Sequence, residues 1–174
     1  KPQVVFNTLN GDTNVAFFKE LKAKGNTPEQ IQTISVSVAE EEVSGIGVAN
    51  IEGHLVAWNY YQTTDTPENK KFVEGYRAKH KAYPDFYAEY GYTAARIIAE
   101  TLKAMSGKSD DKDQFAKAMS AVKFTAPRGP FSFDPETHNV IQNIYIREAV
   151  EIEGRVTNRV IATYKDVRVP AKRP

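Results

Sequence analysis

Three histidines, no cysteine and a run of three glutamates hold most of the reactive chemistry this sequence could offer. His54 lies in an aromatic-rich stretch, His80 at the end of a helical pattern and His138 in a turn, and none has a partner at i+3 or i+4. Local spacing therefore builds no metal site. Without cysteine there is no disulfide framework, thiolate zinc site or thiol nucleophile. The sequence contains no Gly-x-Ser-x-Gly elbow and no phosphate-binding Walker loop. Gly45 and Gly47 in "SGIGVANIEG" do not follow a strand in the dinucleotide-binding pattern and read as a turn. Glu41 and Glu42 read as a charged first helical turn, where carboxylates are favourable. Glu40 stands apart because it lies nearest the end of a strand. We expect no catalytic residue and no cofactor.

The polar groups that do cluster lie in "NTLNGDTNVAFF" (Asn7–Phe18) and "SVAE" (Ser37–Glu40). Each follows an apolar segment. "VVF" (Val4–Phe6) is a continuous apolar run, as in a strand covered on both faces. "IQTISVSVA" (Ile31–Ala39) alternates and is β-branched, which predicts a second strand. Between them, Val15, Phe17, Phe18 and Leu21 form a helical stripe capped by Asp12 or Thr13, with Gly25 beyond its end. Strand, helix, strand is a βαβ unit. In an open parallel sheet, ligands bind outside the carboxyl ends of the strands. Two adjacent loops there would supply carboxamides, hydroxyls, a carboxylate and helix-start N–H groups, which suit a small polar molecule.

The rest of the pattern extends this frame. "GHLVAWNYY" (Gly53–Tyr61) is a third strand. Thr66 and Pro67 start a helix ending near His80, with Phe72, Val73 and Tyr76 inward. The longest helix covers Asp85–Gly107, with Tyr87, Tyr90, Gly91, Ala94, Ile97, Ile98, Leu102 and Met105 at helical spacing. Asp111 and Gln114 cap a shorter one. After "TAPRGP" the chain becomes antiparallel β: "FSFD", "VIQNIYIREAVEI" and "VTNRVIATY", with a turn at Glu153-Gly154. The 174 residues are 41% apolar and 26% charged with net charge +1, so no strong field recruits nucleic acid or an anionic membrane. No apolar run approaches the roughly 20 residues of a membrane span. The basic end from Arg168 to Arg173 reads as a frayed tail. The abrupt entry from Lys1 into a strand leads us to expect a mature or truncated piece lacking its N-terminal part.

"VVFNTLNGDTNVAFFKELKAKG", "SVSVAEEEVSGIGVANIEGHLVAWNYYQTTDTPENKKFV" and "APRGPFSFDPETH" together resemble the C-terminal half of type I periplasmic solute-binding proteins of ABC transporters, the leucine/isoleucine/valine-binding superfamily. Within it they look most like the urea- and short-chain-amide-binding branch, whereas "YPDFYAEYGYTAARIIAETLKAM" is closer to the amino-acid and aromatic-acid binders. The resemblance implies a two-lobe α/β fold, here a C-terminal portion. Residues 1–80 would belong to the second lobe, 81–124 would be helices of the first lobe, and 125–174 would return to the second. It also implies a cleft lined by Thr8, Leu9 and Asn10, and by Ser37, Val38, Ala39 and Glu40. In this reading Thr8 and Asn10 form hydrogen bonds, Leu9 and Val38 shape the walls, and Glu40 meets a ligand amine. Tyr60 and Tyr61 are secondary candidates. The implied function is binding of urea, a short amide or an amino acid without chemistry, outside the cytoplasm, followed by docking on membrane permease subunits. A cytoplasmic amide-sensing regulator of the same fold and an α/β enzyme completed by other segments remain as alternatives.

Overall fold

The computed structural model describes residues 2–152 and 154–170. The frayed tail expected at Arg168–Arg173 and the turn at Glu153-Gly154 fall partly outside the described residues. The chain divides into two compact units. One comprises the chain up to Thr64 with Ile144–Thr163, and the other comprises Asp65–Asn143 with the chain from Tyr164.

In the first unit, β1 (Val4–Asn7), α1 (Thr13–Ala23) and β2 (Gln32–Ser35) form the expected βαβ unit. The strands pair in parallel from Val4 opposite Gln32 to Asn7 opposite Ser35. Next come α2 (Glu40–Ile46), the short α3 (Val48–Ile51) and β3 (Leu55–Trp58), which pairs in parallel with β2. The later strands β6 (Val140–Ile152) and β7 (Arg155–Val167) each run through both units. β6 pairs antiparallel with β3, placing Arg147 opposite Val56, and β7 pairs with β6. Phe18, Val38, Val43, Ile46, Ile51, Val56 and Tyr61 form the core, with Val15, Phe17 and Leu21 packed against it. Burying each large apolar side chain contributes about 1.5–3 kcal/mol, which is why the helical stripe of α1 faces the sheet.

The second unit holds α4 (Pro67–His80), α5 (Phe86–Ala104), α6 (Lys112–Ser120), β4 (Lys123–Ala126), β5 (Gly129–Phe133) and the first part of β6. Thr66 caps α4 by accepting the Asn69 N–H, Asp85 caps α5 at Ala88, and Asp111 caps α6 at Asp113 and Gln114. α4 is tied to this unit, because the Thr66 hydroxyl donates to the Pro127 carbonyl and the Phe72 ring lies 4.8 Å from that of Tyr92.

Four local expectations are corrected. β1 is not covered on both faces. Among the described residues it pairs only with β2, and Val4 and Phe6, which share one face, are 52% and 65% exposed. Asp12 does not cap α1 through its side chain, since its backbone is already helical. α5 buries Glu89, Thr93 and Thr101 while Tyr87 and Ile98 lie exposed. The cause is a buried ion pair, in which the Arg128 guanidinium clamps both carboxylate oxygens of Glu89 and the Thr93 hydroxyl donates to one of them. β4 forms a hairpin with β5 where no strand was expected.

Candidate functional site

β1 and β2 end side by side at Asn7 and Ser35, and the chain leaves them as two neighbouring loops, Thr8–Asp12 and 36–39. Polar side chains hold these loops together. Asn7 Nδ2 donates to Asn14 Oδ1 at 2.8 Å and to Ser35 Oγ at 2.9 Å, while its Oδ1 accepts the Leu9 N–H at 2.9 Å. Asn14 Nδ2 donates to the carbonyls of Leu9 at 3.0 Å and Ser37 at 3.4 Å. The Ser37 hydroxyl also donates to the Leu9 carbonyl, and the Val36 N–H donates to the Asn7 carbonyl at 3.2 Å. Asn7 and Asn14 are buried, so their carboxamides need these partners. Gly11, at φ +58°, takes the left-handed turn that lets the first loop fold back into α1.

The seven residues expected at the site therefore divide. Thr8 and Asn10 are exposed, and their side chains form no hydrogen bond among the described residues. Leu9 is 37% exposed, with its backbone committed to the network. Ser37 is half-buried and its hydroxyl is engaged. Val38 and Ala39 are buried; Val38 packs in the core and Ala39 is the N-cap residue of α2. There the Glu42 carboxylate accepts the Ala39 N–H at 2.8 Å.

Glu40 is buried, and its Oε1 accepts the Gln62 N–H at 3.0 Å. Burial pushes its carboxyl above the usual carboxylate range, opposed chiefly by the charge of Arg147. Burial also lowers Arg147 to about 10, opposed first by Glu40. Arg147 Nη2 donates to Thr64 Oγ1 at 3.2 Å, and Nη1 donates to Thr63 Oγ1 and to the Asn158 carbonyl. Its guanidinium lies 4.2 Å from the Tyr61 ring centroid, so Tyr61 serves packing, and Tyr60 is equally buried. Among the histidines, His54 is buried with Nδ1 accepting the Thr33 N–H at 3.2 Å, a structural role; His80 and His138 are exposed.

Sequence reasoning missed Asn7, Asn14 and Ser35 as the struts, and it missed Arg147. The signal for Arg147 was a lone cation on the inward phase of an alternating strand, "NIYIREAV". The asparagines were visible, but they could be assigned to ligand or to structure only once their partners were known.

A parallel βαβ core with polar loops at its strand ends defines an open-sheet α/β class, and the chain belongs to one family of that class: the periplasmic binding protein domain matches residues 1–169. Leu/Ile/Val-binding protein homolog 6 of Brucella melitensis is 34% identical over 172 residues, covering 94% of this chain and 43% of that protein. An ABC-transporter solute-binding protein of Rhodopseudomonas palustris BisB5, solved with 3,4-dihydroxybenzoic acid, is 30% identical with a TM-score of 0.84. That match covers 97% of this chain and 47% of the other. A second R. palustris solute-binding protein, solved with 4-hydroxybenzoate, is 29% identical with a TM-score of 0.84, over 94% of this chain and 45% of the other. The chain thus spans less than half the length of these relatives.

Proposed function

We propose that this chain is part of the extracytoplasmic solute-binding component of an ABC importer. It binds a small molecule without chemistry and presents the bound form to membrane permease subunits. The observation that carries this reading is the pair Thr8 and Asn10, whose hydrogen-bonding side chains are unengaged on a loop held by Asn7, Asn14 and Ser35. Preformed loops with a few free polar groups suit small-molecule recognition. The names of the relatives, which include ABC-transporter solute-binding proteins, support the transport role. Leu9 would supply an apolar wall beside the two hydrogen-bonding residues, and Ser37, Val38, Ala39 and Glu40 would shape the second loop mainly from within. The resemblance sets the first lobe boundary at residue 80; the contact of Phe72 with Tyr92 of α5 favours a boundary nearer Thr64.

For the ligand we propose an amino acid or an aromatic carboxylate, the kinds of molecule named for the relatives, with urea and short amides as the remaining members of the set. Thermal denaturation of the protein at its natural full length, with L-leucine, 4-hydroxybenzoate, urea and acetamide in turn, tests this. A ligand at a hundred times its Kd stabilises by about 2.7 kcal/mol. Asn10→Ala should weaken binding of the responding compound about tenfold while leaving the ligand-free midpoint unchanged. Unchanged affinity would remove Asn10 from the site, and no response to any of the four would sink the ligand assignment.

A further inference from the structure

Arg147 lies outside the two loops, yet it joins three separate stretches of the first unit, its own strand and two to which it bonds. It belongs to β6, its Nη1 and Nη2 reach Thr63 and Thr64 beyond β3, and Nη1 also reaches the Asn158 carbonyl on β7. Each stretch leads to a point where the chain passes between units: Thr64 to Asp65, Asn143 to Ile144, and Thr163 to Tyr164. The stretch after β3 is closed on itself as well, since the Thr64 N–H donates to the Tyr61 carbonyl at 3.0 Å and the Tyr61 N–H to Thr64 Oγ1 at 3.4 Å. Two residues back from Thr64, the Gln62 N–H is held by Glu40, the first residue of α2, directly after the second loop.

From this chain of contacts we infer that Arg147 is a positioning residue for the stretch Ser37–Glu40: it fixes the segment Asn59–Thr64, and that segment, through Gln62 on Glu40, fixes the start of α2. A lysine could supply the charge but not the forked donors that reach Thr63, Thr64 and Asn158 together. A buried cation whose counter-charge is not in direct contact depends on those neutral acceptors, so loss of the fork should release the segment before it unfolds the unit. The consequence for ligand binding rests on the function proposed above; the fixing of the segment does not.

Amide hydrogen exchange on the full-length protein tests the inference. In Arg147→Lys, the Gln62 and Ala39 amides should exchange at least tenfold faster than in the parent, while the capped Asn69 and Ala88 amides of the second unit keep their rates. The double variant Glu40→Gln/Arg147→Met removes both buried charges. It should show the same local pattern, and it serves if the lysine variant does not fold. Calorimetric titration with L-leucine and with 4-hydroxybenzoate should show at least a tenfold loss of affinity for whichever compound the parent binds. Unchanged exchange at Gln62 and Ala39 in a folded variant overturns the inference. Acceleration that includes Asn69 and Ala88 also overturns it, because Arg147 would then be a general support. Local acceleration in a protein whose parent binds neither compound supports the positioning role and overturns the amino-acid and aromatic-carboxylate reading of the ligand.

Discussion

Asn14 offers the sharpest test of how the strand-end loops are held. Its carboxamide accepts one hydrogen bond from Asn7 and donates two, to Leu9 and Ser37, and the residue is fully buried. A hydrogen bond contributes about 1 kcal/mol net, so Asn14→Ala removes about 3 kcal/mol if all three count fully. The abandoned groups are not all orphaned. Asn7 Nδ2 keeps Ser35 Oγ, and the Leu9 carbonyl keeps the Ser37 hydroxyl. The expected loss is therefore about 2–3 kcal/mol. Asn14→Asp has the same shape, but its second oxygen would face two carbonyls where a donor belongs. The first turn of α1 favours an anion by only about 0.3–1 kcal/mol, too little to offset that repulsion and the burial. The aspartate variant should thus be less stable than the alanine variant at pH 7. Its new carboxyl, with a pKa raised by burial, should recover stability on acidification: protonation is favoured in the fold, so the contribution is present at low pH and lost as pH rises through the folded pKa. Trp58, the only tryptophan, lies on β3 in the same unit and reports its unfolding in urea. With a slope of about 2 kcal/mol per molar, Asn14→Ala should lower the midpoint by about 1–1.5 M. A loss below about 1 kcal/mol, or an aspartate variant more stable than the alanine one at pH 7, would refute the strut assignment.

Two further outcomes follow from buried groups elsewhere. Arg128→Met strands the Glu89 carboxylate in the second unit and should cost about 3–5 kcal/mol, while Glu89→Leu/Arg128→Met should recover most of it; a double variant no more stable than the single in chemical denaturation contradicts the pairing. His54 has its pKa lowered by burial, opposed by Glu29, so the unfolded chain binds its proton first; stability should fall as pH drops below about 6.5, and His54→Asn should flatten that slope between about pH 7 and 5, identical slopes counting against the assignment.

The sequence was most legible where one physical rule acted alone. Thr66 and Asp111 were readable as caps because each is a short acceptor placed before an amphipathic run, and both cap. β6 was readable to the residue because its alternation persists for 13 positions. Legibility failed where a long-range partner decided the outcome. The inward phase of α5 is set by Glu89 meeting Arg128, 39 positions away, and the helical spacing of apolar residues gives no hint of it. Thr33 and Ser35 are the buried residues of β2, although hydropathy alone would turn Ile34 inward. At the candidate site, the location of the two loops followed from strand periodicity and the parallel-sheet rule. The division of labour within them did not, because Asn7 and Asn10 are the same residue type, separated only by which of them the sheet end encloses.

That division bears on how the loops could recognise a ligand. A loop ordered only on binding would lose part of its interaction energy to conformational entropy, about 1–2 kcal/mol for each residue fixed. Here the Leu9 N–H and the carbonyls of Asn7, Leu9 and Ser37 are already engaged, so the backbone on either side of Thr8 and Asn10 is fixed before any ligand arrives. The hydrogen bonds that Thr8 and Asn10 form would then be opposed mainly by ordering of two short side chains. Glu40 extends the same logic beside the second loop. Its carboxylate already holds the Gln62 N–H through one oxygen, with the Arg147 charge nearby, so a ligand amine would meet a group that is already partly engaged. A ligand amine meeting Glu40, as the resemblance implies, would therefore share that carboxylate with the Gln62 N–H, so the residue would position the loop and the ligand together.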